Sequence, residues 1–147
     1  MIDEALFIDV NIPMYAAGAP HTNRAACQWV MTSIAKGNLS AVIDVEIVQE
    51  IYHRYGSLND WEIANKMASS LLRIIPDILP VTLRDIQQMV PLAQLYGSAY
   101  KIPARDLIHA AVMRNNGLTT IVSTDKHFDL IEGLTRLHPQ QLMERER

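Results

Sequence analysis

The chain has 147 residues, 49% hydrophobic and 20% charged, without repeats or low-complexity runs; this excludes a disordered or fibrous protein and suits one globular domain over residues 1–147. A formal net charge of −3 speaks against a protein that grips nucleic acid through a broad basic face. The acidic start MIDEALFID, the lack of an apolar stretch of roughly 18 residues and the single Cys27 argue against a signal peptide, a membrane span, and a disulfide or cysteine-rich zinc site. A cytoplasmic protein without a membrane partner is expected, with Cys27 a small buried hydrophobe.

The first element is the apolar strand Leu6–Ile8, followed at once by Asp9 and closed by the helix-hostile Pro13. From His21 to Ala35, Ala25, Trp29, Val30, Ser33 and Ile34 recur at helical spacing until KGN stops the helix at Gly37. A second strand, Leu39–Ile43, leads to Asp44, which can cap a helix with Ile47, Val48, Ile51, Tyr52 and Tyr55 on its apolar face, ended by Gly56. Asn59 or Asp60 opens the next helix, from Trp61 to Pro76.

A third strand spans Ile78–Thr82, and Thr82 can cap a helix reaching Gly97, with a kink expected at Pro91. Pro103 suits the first turn of a helix closed by Asn115–Gly117. The strand Thr119–Ser123, the short helix KHFDLI and an edge strand Leu134–Leu137 before Pro139 complete the order. Short apolar strands alternating with helices give a three-layer α/β/α fold around a parallel sheet of about five strands.

Ligands of such sheets bind beyond the carboxyl ends of the strands, where loops and helix N-termini converge. Asp9 and Asp125 follow two strands, Asp106 falls in the first turn after Pro103, and Glu50 lies in the second turn of the helix that leaves the second strand. Each has an ordinary alternative: Asp106 as a dipole-stabilising carboxylate, Asp125 as the cap of KHFDLI, Glu50 as a solvated charge. Asp9 is the hardest to dismiss, because it has no Lys or Arg within ten residues on either side and a buried carboxylate needs a partner. Convergence of all four demands cations, since two like charges about 4 Å apart repel by about 4 kcal/mol at an effective dielectric of about 20. Oxygen-only ligation suits Mg²⁺ or Mn²⁺, and Asp9 is then charged because it holds a metal.

The segments FIDVN, VIDVEIVQEIY, PARDLIHAAVMRNNG and IVSTDKHFD together resemble the four acidic motifs of the PIN domain, particularly its VapC-like toxin branch. The resemblance covers nearly the whole chain, and RDLIHAA followed by IVSTDKHFD is its most specific part. It implies strand order 3-2-1-4-5 and a metal-dependent endoribonuclease, the toxin of a toxin–antitoxin pair, with a small antitoxin and homodimers as partners. Position by position, Asp9, Glu50, Asp106 and Asp125 match the four acids, Ser123 the hydroxyl residue two places before the last, and Asn11 the Asn of the first motif. The chain departs at Val10, where many members carry Thr or Ser. Glu46 rivals Glu50 one turn earlier, and the resemblance rather than periodicity selects Glu50. Asp44 and Asp129 lie near the motifs too, with a helix cap and a helix-turn or supporting role as their alternatives.

RNA phosphodiester hydrolysis in such a site needs no protein nucleophile, because one or two Mg²⁺ or Mn²⁺ ions activate water and neutralise charge on the phosphate. Asp9 and Asp125 are expected as direct ligands, Glu50 and Asp106 as ligands through metal or water, and Ser123 and Asn11 as groups that orient them. His109 and His127 are read as packing or surface residues. Arg24, Arg54, Arg105 and Lys126 adjoin the motifs and are candidates for phosphate contacts, each with ordinary surface charge as the alternative. The rival functions are a housekeeping RNA-processing nuclease and an inactive nucleic-acid- or partner-binding module; a receiver domain fits poorly, because DVN offers one carboxylate where an acidic pair is needed.

Overall fold

The computed structural model describes residues 4–146; residues 1–3, part of the acidic start, and residue 147 lie outside the described residues. The first strand, β1 (Leu6–Ile8), is buried on both faces. Helix α1 (Asn11–Ala17) follows directly, where the sequence suggested that Pro13 closes the element. Pro13 stands in the first turn, where a missing N–H costs nothing because that turn's donors have no intrahelical partner. Helix α2 (Arg24–Ala35) ends as expected, Gly37 taking φ +78°. Its Cys27 is buried in the core, which pushes the thiol up to about 12.

Strand β2 (Ala41–Asp44) starts two residues later than the apolar run and extends to Asp44, which caps α3 (Val45–Ser57) by accepting from the Ile47 N–H at 3.1 Å. Helix α3 runs through Gly56, and Asn59 instead takes the left-handed turn at φ 57°. Gly56 serves a close approach, since a Cβ there would lie 3.0 Å from the Trp61 ring. Asp60 caps α4 (Trp61–Ile74).

Strand β3 is confined to Asp77–Leu79, short of the expected Thr82. Helix α5 (Leu83–Leu92) passes through Pro91 and then widens into a π-helical segment, Ala93–Gly97, before the single turn α6 (Ser98–Tyr100). The expected kink is thus a widened turn just past a residue that cannot donate the helical hydrogen bond. Helix α7 (Ala104–Asn115), with Pro103 just before its first turn rather than in it, precedes β4 (Thr120–Val122), a 3₁₀ turn (Lys126–Leu130), β5 (Thr135–Leu137) and α8 (Pro139–Glu146). The polar segment after Pro139 is thus helical, and it packs on α2 with Leu142 wholly buried.

The described strands form one parallel sheet ordered β3-β2-β1-β4-β5 with Phe7 opposite Val42 on one side and Ile121 on the other, as the resemblance implied. The chain order reverses at β1 and β4, so Asp9 and Asp125 emerge at adjacent strand ends. No helix among the described residues is long and apolar enough to cross a membrane.

One polar clasp fixes α5 against α7. Asp85 accepts from the Thr82 N–H at 2.8 Å and hydroxyl at 3.1 Å, and from Asn115 Nδ2 at 2.8 Å. Burial opposes ionisation, but these hydrogen bonds outweigh it and hold the carboxyl below its ordinary 3.8. Asp85→Ala is expected to cost about 1–2 kcal/mol at neutral pH. Because the folded-state value is the lower one, this contribution is present above pH 3.8 and disappears as pH falls through the folded value. The gap between urea melts of the two proteins should therefore narrow as pH falls below 3.8; a gap unchanged by acid would locate the cost elsewhere.

Candidate functional site

Asp9 leaves β1 with its N–H still in the sheet, donating to the Val122 carbonyl at 3.1 Å. It is 2% exposed, and its Oδ2 accepts from the Ser123 hydroxyl at 2.6 Å and Asn11 Nδ2 at 3.0 Å, while Oδ1 accepts from the Val10 N–H at 2.8 Å. Val10 therefore supplies a backbone donor, and the hydroxyl comes from Ser123 instead. The Ser123 oxygen accepts from the Asp125 N–H at 3.0 Å, and Asn11 Oδ1 accepts from the Thr124 N–H at 3.3 Å, so these two side chains tie the ends of β1 and β4 together. Burial raises the Asp9 pKa above 3.8, assisted by the Asp106 charge and opposed by His109, Ser123 and Val10.

Glu50 is also buried, with Oε1 2.8 Å from His109 Nε2 and Oε2 lacking a hydrogen-bond partner among the described residues. His109 is completely buried and uses its other nitrogen, Nδ1, on Asp44 Oδ2 at 2.7 Å. Burial alone would lower the His109 pKa, but the hydrogen bonds and charges of Asp44 and Glu50 raise it well above 6.5. One ligand atom each from Asp9, Glu50 and His109 lie within 4.8 Å of one another. Glu46 is half-buried on the wall of the neighbouring cleft, its pKa raised by burial and then by Glu50.

Asp106, in the first turn of α7, is buried, and that burial raises its pKa against the pull of His109 and His127. Its Oδ2 approaches His127 Nε2 to 2.6 Å without the alignment of a hydrogen bond, and the same nitrogen is 3.5 Å from Asp125 Oδ2. Asp125 stands at the N-cap of the 3₁₀ turn but makes no side-chain cap hydrogen bond, and its side chain is 48% exposed. Asp106, Asp125 and His127 form a second group within 4.8 Å, coupled to the first because the charges of Asp9 and Asp106 act on each other. Nearby, Asp129 holds Arg136 through two contacts of 3.0 and 3.1 Å, and Arg136 donates to the Ser123 carbonyl at 3.1 Å.

The structure thus brings together Asp9, Asn11, Glu50, Asp106, Ser123 and Asp125, and adds two histidines that the sequence reading set aside. Their signal was weak: His109 lies one turn after Asp106, but its partners are 59 and 65 residues away. Carboxylate oxygens predominate, Arg105 Nε reaches Glu50 Oε1 only at 4.0 Å, and the orphaned Glu50 oxygen lacks a donor. This donor set fits a hard divalent cation. Beside it opens a cleft of about 500 Å³ whose walls include Met14, Glu46, Gln49, His53, Arg54 and Arg105. Arg24 is not on its wall, and Lys126 is exposed beyond Asp125.

The PIN domain family model matches residues 6–134, spanning every acid of this site. The chain belongs to the PIN domain family. Its relatives include the ribonuclease VapC13 of Mycobacterium tuberculosis, 31% identical over 132 residues covering 90% of this chain and 98% of that protein. Among solved structures, Rickettsia felis VapBC2, bound to a DNA fragment from its promoter, matches with TM-score 0.70 at 17% identity, covering 91% of this chain and 98% of that one. VapC20 of M. tuberculosis, a toxin that cleaves the sarcin–ricin loop, matches with TM-score 0.70 at 14% identity, covering 85% and 93%. At these identities the two structures establish the PIN fold.

Proposed function

We propose that this PIN-domain protein is a metal-dependent endoribonuclease and the toxin of a toxin–antitoxin pair, with Asp9, Glu50, Asp106 and Asp125 holding Mg²⁺ or Mn²⁺. The observation that carries this is a cluster of three buried carboxylates and one half-exposed carboxylate at the carboxyl end of a parallel sheet, with one buried Glu50 oxygen left without a donor among the described residues. Relatives named as VapC ribonucleases support the reading of the chemistry. When bound, the cation supplies neutralisation of phosphate charge and a water acidic enough to attack phosphorus. The chain's own groups do the positioning: Ser123 and Asn11 hold Asp9, and Arg54 and Arg105 on the cleft wall are cations available to the phosphates of an RNA. Single-stranded or looped RNA is the fitting substrate because its bases are accessible.

The test is incubation of purified protein with labelled single-stranded RNA, with Mg²⁺, with Mn²⁺ and with chelator. Internal cleavage is expected only with metal, and cleavage undiminished by chelator would overturn the reading. A cytoplasmic ribonuclease endangers its host, so a small antitoxin completes the system, an Arg or Lys from it occupying the cation position because a guanidinium pairs with carboxylates in a fork. Induction without the antitoxin should arrest growth; unimpeded growth alongside RNA cleavage in vitro leaves the nuclease and removes the toxin.

The reading includes a homodimer. Helix α4 buries Met67 and Leu71 in the core yet exposes Trp61, Ile63 and Leu72, and α5 exposes Leu83, Ile86 and Val90. Light scattering at micromolar concentration should give twice the 16.6 kDa chain mass, and a strictly monomeric mass would remove the homodimer.

A further inference from the structure

We propose that His109 is a positioning residue for Glu50, an internal brace that fixes the glutamate carboxylate from behind and leaves its second oxygen for the cation; this rests on the metal-site reading above. Its two nitrogens are both committed, Nδ1 to Asp44 Oδ2 at 2.7 Å and Nε2 to Glu50 Oε1 at 2.8 Å. Each ring nitrogen is thus filled by a carboxylate oxygen at hydrogen-bond distance, and neither is left facing a cation. His109 is therefore a support for a ligand and not a ligand itself, although it lies within 4.8 Å of Asp9 and Glu50.

The brace is anchored at its far end. Asp44 Oδ1 is held by the Ile47 N–H at 3.1 Å, so the line of contacts runs from the α3 backbone through Asp44 and His109 back to Glu50 on α3. The ring is 0% exposed and packs on Phe7 with centroids 5.3 Å apart. A flip of the imidazole would replace both nitrogens with carbons at these contacts, so a single orientation satisfies both carboxylates. Arg105, 4.0 Å from the same Glu50 oxygen and 54% exposed, is too loose to substitute. Groups that hold metal-bound side chains in this way are typically worth about 10–100-fold in metal affinity.

The amides of Asn and Gln divide the two roles. His109→Asn can keep a donor toward Asp44 and loses the one toward Glu50, whereas His109→Gln reaches Glu50 and gives up Asp44. Mn²⁺ titration by calorimetry at fixed pH should show His109→Asn weakened by about 10–100-fold, and His109→Gln retaining more of the affinity. Cleavage by His109→Asn should lose kcat with little change in KM for RNA. Melting of the metal-free proteins separates a purely structural role: two equally destabilised variants that both bind Mn²⁺ like the wild type would overturn the brace. If His109→Asn fails to fold, Asp44→Ser, which keeps an α3 cap acceptor but is too short to reach His109, carries the same test, and unchanged Mn²⁺ affinity there also overturns it. A wild type that binds no Mn²⁺ would instead remove the metal reading itself.

Discussion

Asp9→Asn is expected to abolish metal-dependent RNA cleavage in a protein that still folds. The side chain keeps its shape, so the packing around β1 is preserved, and the amide oxygen can still accept from the Val10 N–H. The other end changes sign: an amide nitrogen replaces the oxygen that now accepts from both Ser123 and Asn11. That conflict is offset by the removal of a buried charge whose pKa burial already raises, so stability should change by no more than about 1–2 kcal/mol. Cleavage should fall by more than the roughly 10–100-fold typical for losing a supporting group, because a charge-bearing ligand is lost. Single-turnover cleavage beside a thermal melt measures both. A folded variant with undiminished Mg²⁺-dependent cleavage would falsify the role given to Asp9.

What the sequence discloses about this molecule follows the range of the interactions involved. Leu6–Ile8 is legible to the residue because three apolar side chains, bounded by a charge, leave a buried strand as the only economical reading. Helix α1 is not, because Pro13 has opposite meanings in a helix interior and in a first turn, and the distinction depends on where the helix begins. Strand β3 stops at Leu79 although apolar character continues, since pairing with β2 ends where β2 gives way to α3. Asp9 and Asp125 could be placed together from the topology alone. Glu50 and Glu46 could not be separated by periodicity, being one turn apart on one helix; both border the cleft, and burial separates them, Glu50 being buried and Glu46 half-buried. His109 was unreadable as more than a packing residue, because its place between Asp44 and Glu50 exists only once α7 crosses α3.

The second large effect is thermal. Mg²⁺ or Mn²⁺ is expected to raise the melting temperature, and Asp125→Asn to weaken that rise. A ligand that binds only the folded state stabilises it by about 2.7 kcal/mol at a hundredfold excess over its dissociation constant. For a chain of this size each kcal/mol moves the midpoint by about 2–4 °C, so a shift of about 5–11 °C is expected. Asp125 is the informative acid because the fold does not lean on its carboxylate. Its backbone N–H is secured by the Ser123 hydroxyl, its side chain makes no cap, and 48% of that side chain is open to solvent. The metal-free variant should therefore melt within about 0.5 kcal/mol of wild type, the usual range for exposed substitutions, and the loss should appear only when metal is added. Asp9, Glu50 and Asp106 are buried, so their metal-free stability will move as well and each needs its own baseline. An undiminished shift in the variants of all four acids would place the cation elsewhere on the protein, because oxygen ligands cannot be removed from a hard-cation site without a cost in affinity.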